Sequence, residues 1–143
     1  DADIFSFITS KVESRALFDE GNALGKGLDF SLDPRDTSLR VAFVYKTSPA
    51  ASAGLYRGVK VSALNGKAMK EWIFGDLDAF VNALYSETAE YTFVDTNGVQ
   101  TKRTLTSGNI VINTVLHSSI KNINGKKVGY LVFNSFINTS KQE

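Results

Sequence analysis

Turn chemistry cuts this chain into short β-rich runs, and that punctuation limits the possible folds more than any other feature. In Asp33-Pro34-Arg35-Asp36 the proline presets a turn angle while aspartate bonds back to the chain. Asn65-Gly66 is a strong two-residue hairpin signal, and Asp95-Thr96-Asn97-Gly98 marks a further reversal. Between these turns, residues 28–32, 39–45, 59–64, 67–69, 90–94 and 99–105 read as strands. Two more β-rich runs, 110–116 and 128–133, are joined by a polar connection containing Asn124-Gly125. Val59, Val61 and Ala63 alternate with Lys60 and Ser62, the period of a half-buried strand.

Three helices complete an α+β, mainly β reading. Ser10-Lys11-Val12-Glu13 has capping-box spacing, so a helix is expected over about 11–19, with Val12, Ala16 and Leu17 inward and a stop at Gly21-Asn22. Ser48-Pro49-Ala50-Ala51-Ser52-Ala53-Gly54 supplies an N-cap serine, a first-turn proline, small helix formers and a glycine stop. Asp76 caps a helix to about residue 85, along which Leu77, Val81 and Leu84 share one face while Phe80 and Ala83 turn toward a core. Ile4, Phe5, Phe7 and Ile8 fit strand or helix equally well.

Gly25-Lys26-Gly27 feeds directly into an alternating strand. Glycine tolerates backbone angles that side chains forbid, so the N–H groups of Lys26, Gly27 and Leu28 can turn together into an anion-binding nest. Leu28 and Phe30, on one face of the strand, could then line an extended peptide whose terminal carboxylate sits in the nest. The simpler reading is a tight turn entering a strand. Lys26 could assist the carboxylate, but projection into water is expected.

A chain of 143 residues with 43% hydrophobic content can bury one ordinary core plus flanking structure. The net charge of +1 comes from scattered basic residues, which excludes a phosphate-tracking stripe and with it nucleic acid as partner. Without cysteine there is no disulfide, thiol catalysis or zinc-thiolate site. His117, the single histidine, reads as a surface or packing residue, and Trp72 and Phe74 as a core cap. Asp29, Asp33 and Asp36 lack the spacing of a calcium loop and read as solvated, so no metal and no cofactor is expected. No apolar run approaches a membrane span, and residues 1–20 lack the basic start and apolar centre of a signal peptide, which suits an excised fragment.

The order of these elements from about residue 22 to 108 resembles a bacterial-type PDZ domain. Ser48-Pro49-Ala50-Ala51-Ser52-Ala53-Gly54-Leu55, then Arg57-Gly58 and Val61-Ser62-Ala63-Leu64-Asn65-Gly66, is similar to a family pattern in which S-P-A-x-x-A-G-L precedes a G-D pair and a strand ending I-N-G. Val59 stands where the aspartate of that pair is usual. The resemblance implies a partly open β-barrel or sandwich with two helices. It also implies a carboxylate loop of Gly25, Lys26, Gly27 and Leu28 and a peptide groove of Leu28, Phe30, Leu77, Val81 and Leu84. Hydroxyl-selecting PDZ domains carry histidine where Leu77 stands, so a preference for apolar side chains near the peptide's end is expected.

Beyond that domain, Gly125-Lys126-Lys127 and Val128-Gly129-Tyr130-Leu131-Val132-Phe133-Asn134-Ser135-Phe136 resemble the G-K-x-G-Y-I-x-I-x-S-F stretch that opens the catalytic core of C-terminal processing (tail-specific) serine peptidases. Residues 4–19 resemble the helical lead-in of those enzymes. The implied organisation is an N-terminal helical segment 1–21, a PDZ domain 22–108 and a truncated core 109–143. The implied role is to recognise C-terminal or unfolded segments of protein substrates for the peptidase core of the same parent chain, outside the bacterial cytoplasm. The serine and lysine of such enzymes lie downstream; Ser10-Lys11 and Ser140-Lys141 are adjacent pairs whose side chains cannot face one another. An adaptor domain of a catalytically inactive parent is the alternative. Residues 128–133 are expected to fold back on 110–116 as a hairpin or to pair with another copy.

Overall fold

The computed structural model describes residues 8–141. Ile4, Phe5 and Phe7 lie outside the described residues. The fold is α+β and mainly β, with open sheets and four α-helices among the described residues.

One unit spans Leu24–Val111. Its main sheet is antiparallel in the order β2 (Leu28–Asp33), β3 (Ser38–Val44), β4 (Lys60–Leu64), β6 (Thr88–Val94), β7 (Gln100–Thr106), with β5 (Lys67–Ala68) on β4 around Asn65-Gly66. Strand alternation turns Val41, Val61, Tyr91 and Leu105 to one buried face. Two helices signalled by the sequence cover it. In α2 (Pro49–Ser52) the Ser48 hydroxyl accepts the Ala51 N–H and Ala50 is buried; in α4 (Leu77–Tyr85) the Asp76 carboxylate accepts the Ala79 N–H and Phe80 is buried.

A third helix, α3 (Met69–Ile73), replaces the end of the strand expected over 67–69. No side chain caps it, but Met69 is 3% exposed and Trp72 packs on the core while donating Nε1–H to the Leu64 carbonyl at 3.0 Å. Phe74, expected beside Trp72 in a core cap, is exposed instead.

The residues flanking this unit, expected as separate N- and C-terminal segments, form a second unit together. Asn138 Nδ2 donates to Asp19 at 2.6 Å and the Ile112 N–H to the Gly21 carbonyl at 2.7 Å. Helix α1 (Lys11–Phe18) carries the complete Ser10–Glu13 capping box. Val12, expected inward, is exposed; Ala16 and Leu17 are half-buried.

The strand expected over 110–116 is split. Its first part belongs to β8 (Gly108–Val111), which pairs with β1 (Asn22–Gly25), and β9 (Val115–Ile123) starts after a break at the fully buried Thr114. Residues 128–133 do fold back as a hairpin, but the partner of β10 (Lys126–Phe133) is β9, much of which had read as a polar connection. Asn124 and Gly125 both take positive φ, 51° and 77°, the conformation of a two-residue turn matched to strand twist. His117 lies exposed on β9, its ring 5.8 Å from that of Tyr130.

Candidate peptide cleft

β2 is an edge strand: its second side meets no strand among the described residues. The turn that feeds it is shaped by Gly27, whose φ of +76° is open to glycine and costly for other residues. A Cβ there would lie 2.1 Å from Ser48 Cβ, so the turn packs directly against the Ser48 side chain at the start of α2. Gly25 has no such need; it ends β1 without a positive φ, and an added Cβ would meet only Ile110 Cδ1 at 3.8 Å and the Gly27 nitrogen at 4.0 Å.

Hydrogen bonds orient the turn. The Lys26 carbonyl accepts the Ala50 N–H at 3.0 Å and the Gly27 carbonyl accepts the Tyr45 N–H at 2.8 Å. Ser48 Oγ fixes the junction, donating toward the carbonyls of Tyr45 at 2.7 Å and Gly27 at 3.3 Å. In a trans peptide the N–H points opposite to the carbonyl. The Gly27 and Leu28 N–H groups therefore face away from α2, and that of Leu28 faces the free edge of β2.

A cavity of about 390 Å³ opens beside this edge. Gly25, Lys26, Gly27, Leu28 and Phe30 line one wall, and Leu84 and Tyr85 at the end of α4 contribute to the other. The glycine turn and the helix thus meet at a single cleft. Leu77 and Val81, seven and three residues before Leu84 on the helix, are 63% and 42% exposed and do not line it. Phe43, Tyr45, Tyr91, Ser107 and Ile110 also line it, and none was singled out from the sequence. The Phe43/Tyr45 alternation was a legible sign of a shared strand face; the chain-distant Ser107 and Ile110 gave none.

Lys26 does not project into water. It is 8% exposed, and Nζ donates to the carbonyls of Leu84, at 3.2 Å, and Ser86. The last carbonyls of a helix lack intrahelical partners and carry the negative end of its dipole, so an ammonium is a favourable cap. Tyr91 completes the cap, donating its hydroxyl to the Leu84 carbonyl at 3.1 Å. Burial lowers the Lys26 pKa and raises that of Tyr91.

Asp29 has a local role at the open edge: its carboxylate accepts the Phe30 N–H at 2.8 Å. Asp33, read from sequence as solvated, is instead buried; Asp36 is exposed as expected but belongs to the same ion-pair network. Arg35 donates to Asp33 through Nε at 2.9 Å and Nη2 at 2.7 Å, and Arg40 bridges Asp33 at 3.1 Å and Asp36 at 3.2 Å. Asp33, 8% exposed, is held well below the usual carboxylate range by the Arg35 guanidinium.

In fold the chain is similar to part of the photosystem II D1 C-terminal processing protease, with a TM-score of 0.55 and 18% identity over 85% of this chain and 34% of that one. The structure of a Bacteroides fragilis protein assigned to the S41 proteases aligns over 78% of this chain and 31% of that one, at 23% identity and a TM-score of 0.48, too low to carry an argument. This chain thus spans about a third of each. At such identity the likeness concerns the fold alone. A match over 85% of the chain extends beyond Leu24–Val111 into the flanking unit. The sequence matches no protein-family model and no curated protein.

Proposed function

We propose that Leu24–Val111 is a PDZ-type peptide-binding module serving a C-terminal processing serine peptidase. An extended segment of a protein substrate would add to the free edge of β2, its terminal carboxylate meeting the N–H groups of Gly27 and Leu28, with Leu28, Phe30 and Leu84 receiving the terminal side chains. The observation that carries this reading is the single cleft in which the glycine turn, an unpaired strand edge and the end of α4 meet. Backbone pairing would supply affinity and the side-chain pockets selectivity. Leu77 and Val81 would contact only upstream residues of a longer segment. The serine and lysine of the reaction would come from the rest of the parent chain, outside the cytoplasm.

A pair of peptides tests this: one with an apolar tail and a free carboxylate, the other identical but amidated. Fluorescence anisotropy should show binding that drops about tenfold or more on amidation, the loss expected for a charge-assisted contact. Amide shifts in a titration should concentrate on residues 26–30 and 84–86. Equal affinity for acid and amide, or shifts centred elsewhere, would overturn the reading.

A further inference from the structure

The end of β2 away from the glycine turn opens onto a second cavity, of about 450 Å³, whose charged lining is Arg35, Arg40 and Arg57 together with one carboxylate, Asp33. Ser31 pairs with Arg40 and Asp33 with Ser38, so these residues lie on the sheet face opposite to Phe30 and Val41. The local charges do not cancel. Asp33 is shared by Arg35 and Arg40; Asp36 is shared by Arg40 and Lys60, the latter at 3.0 Å. Among the described residues Arg57 meets no carboxylate, donating instead to the Ala42 carbonyl at 2.9 Å. The cavity lining therefore sets three guanidinium groups against the single Asp33 carboxylate, with Asp36 and Lys60 pairing beside it, and each guanidinium keeps N–H groups beyond those bonded.

We propose that this arginine-lined cavity is an upstream subsite that selects an aspartate or glutamate side chain in the same peptide that lies along β2. The inference rests on the peptide reading above. A chain whose carboxylate sits at Gly27–Leu28 runs antiparallel to β2 and passes Phe30 and Leu32 on its way to Arg35. At about 3.3 Å per residue the cavity is reached about three to five residues upstream of the terminus, and alternate side chains there point to the Ser31 face. Continuity with the strand edge and charge complementarity together specify the occupant. Asp29 adds a positional rule: an acid next to the terminus would face its carboxylate, not the arginines.

The test uses fluorescein-labelled ten-residue peptides with an apolar, free-acid end. One carries alanine at the third to fifth upstream positions, another glutamate there, and a third glutamate only beside the terminus. Glutamate at the upstream positions should tighten binding about five- to tenfold at low salt, and the gain should shrink as ionic strength rises. Glutamate beside the terminus should give no gain. In Arg57→Gln the gain should fall most of the way, and in Arg57→Glu it should vanish or reverse while the alanine peptide binds as before. Urea unfolding of both variants confirms that they remain folded. Equal binding of the alanine and upstream-glutamate peptides, or a gain that survives Arg57→Glu, overturns the subsite and leaves the cleft standing. If no free-acid peptide binds, the cleft reading fails and the subsite with it.

Discussion

Replacing Gly27 by alanine tests the local physics on which the cleft depends. A left-handed φ of +76° costs a non-glycine residue about 1–2 kcal/mol. The added Cβ would stand 2.1 Å from Ser48 Cβ, 2.7 Å from Ser48 Oγ and 3.1 Å from Ile110 Cγ2, where ordinary contact begins near 3.4 Å. Ser48 cannot yield cheaply. Its hydroxyl donates toward the Tyr45 and Gly27 carbonyls and accepts the Ala51 N–H at 3.1 Å, so displacing it by the required ångström or more breaks the N-cap of α2. Overpacking of this kind costs about 1–3 kcal/mol and a lost N-cap about 1 kcal/mol. The three effects together place the penalty on the order of 4 kcal/mol, a large share of the 5–15 kcal/mol that typically holds a domain folded.

The control is Gly25→Ala, two residues away, where φ is ordinary and the new Cβ makes normal contacts at 3.8 and 4.0 Å. Its expected cost is below about 1 kcal/mol, the scale of unremarkable substitutions. Thermal unfolding followed by tryptophan fluorescence reads both, since Trp72 packs on the core of this unit. Gly27→Ala should lower the melting temperature by roughly 10–20 °C and Gly25→Ala by no more than about 5 °C. A reversed order, or equal small shifts, would show that the Ser48 contact does not set the turn.

Lys26→Met removes both bonds to the end of α4 and should cost about 1–2 kcal/mol, with faster amide exchange in the 85–88 segment; stability unchanged or increased would mean that burying the ammonium costs as much as its bonds return. Asp29→Ala frees the Phe30 N–H at the edge of β2 and should tighten peptide binding about two- to fivefold; weaker binding would show that Asp29 helps to hold the ligand. The Asp33–Asp36 clamp predicts acid sensitivity: hydrogen bonds from Ser38 and then Lys60 lower the Asp36 pKa to about 2, and Arg35 lowers that of Asp33. The unfolded chain takes up these protons first, so the clamp's stabilisation is whole above about pH 4 and is lost as pH falls toward 2. Carboxyl NMR should give an Asp36 midpoint near 2; an ordinary midpoint near 4 would refute the clamp.

What the sequence showed and what it hid divide along one physical line. Ser48-Pro49 and Asp76 announced α2 and α4 because an N-cap is a local device: the residue that starts the helix also bonds its first amides. Asn65-Gly66 was legible for the same reason, since the turn's positive φ values belong to the two residues that make it. Helix α3 has no side-chain cap and exists because Met69 and Trp72 find the core, a contact that no short window of sequence contains. Lys26 shows the same limit within the cleft. A lysine between two glycines reads as solvated, yet its two acceptors lie 58 and 60 residues further along the chain. That long-range tie has a consequence for the peptide reading. With its ammonium committed to α4, Lys26 acts on a ligand by holding the turn and helix together, and the carboxylate is left to backbone N–H groups whose direction Gly27 and Ser48 determine. Side-chain identity at position 26 should therefore matter less for which peptide tail binds than for whether the two walls of the cleft stay in place.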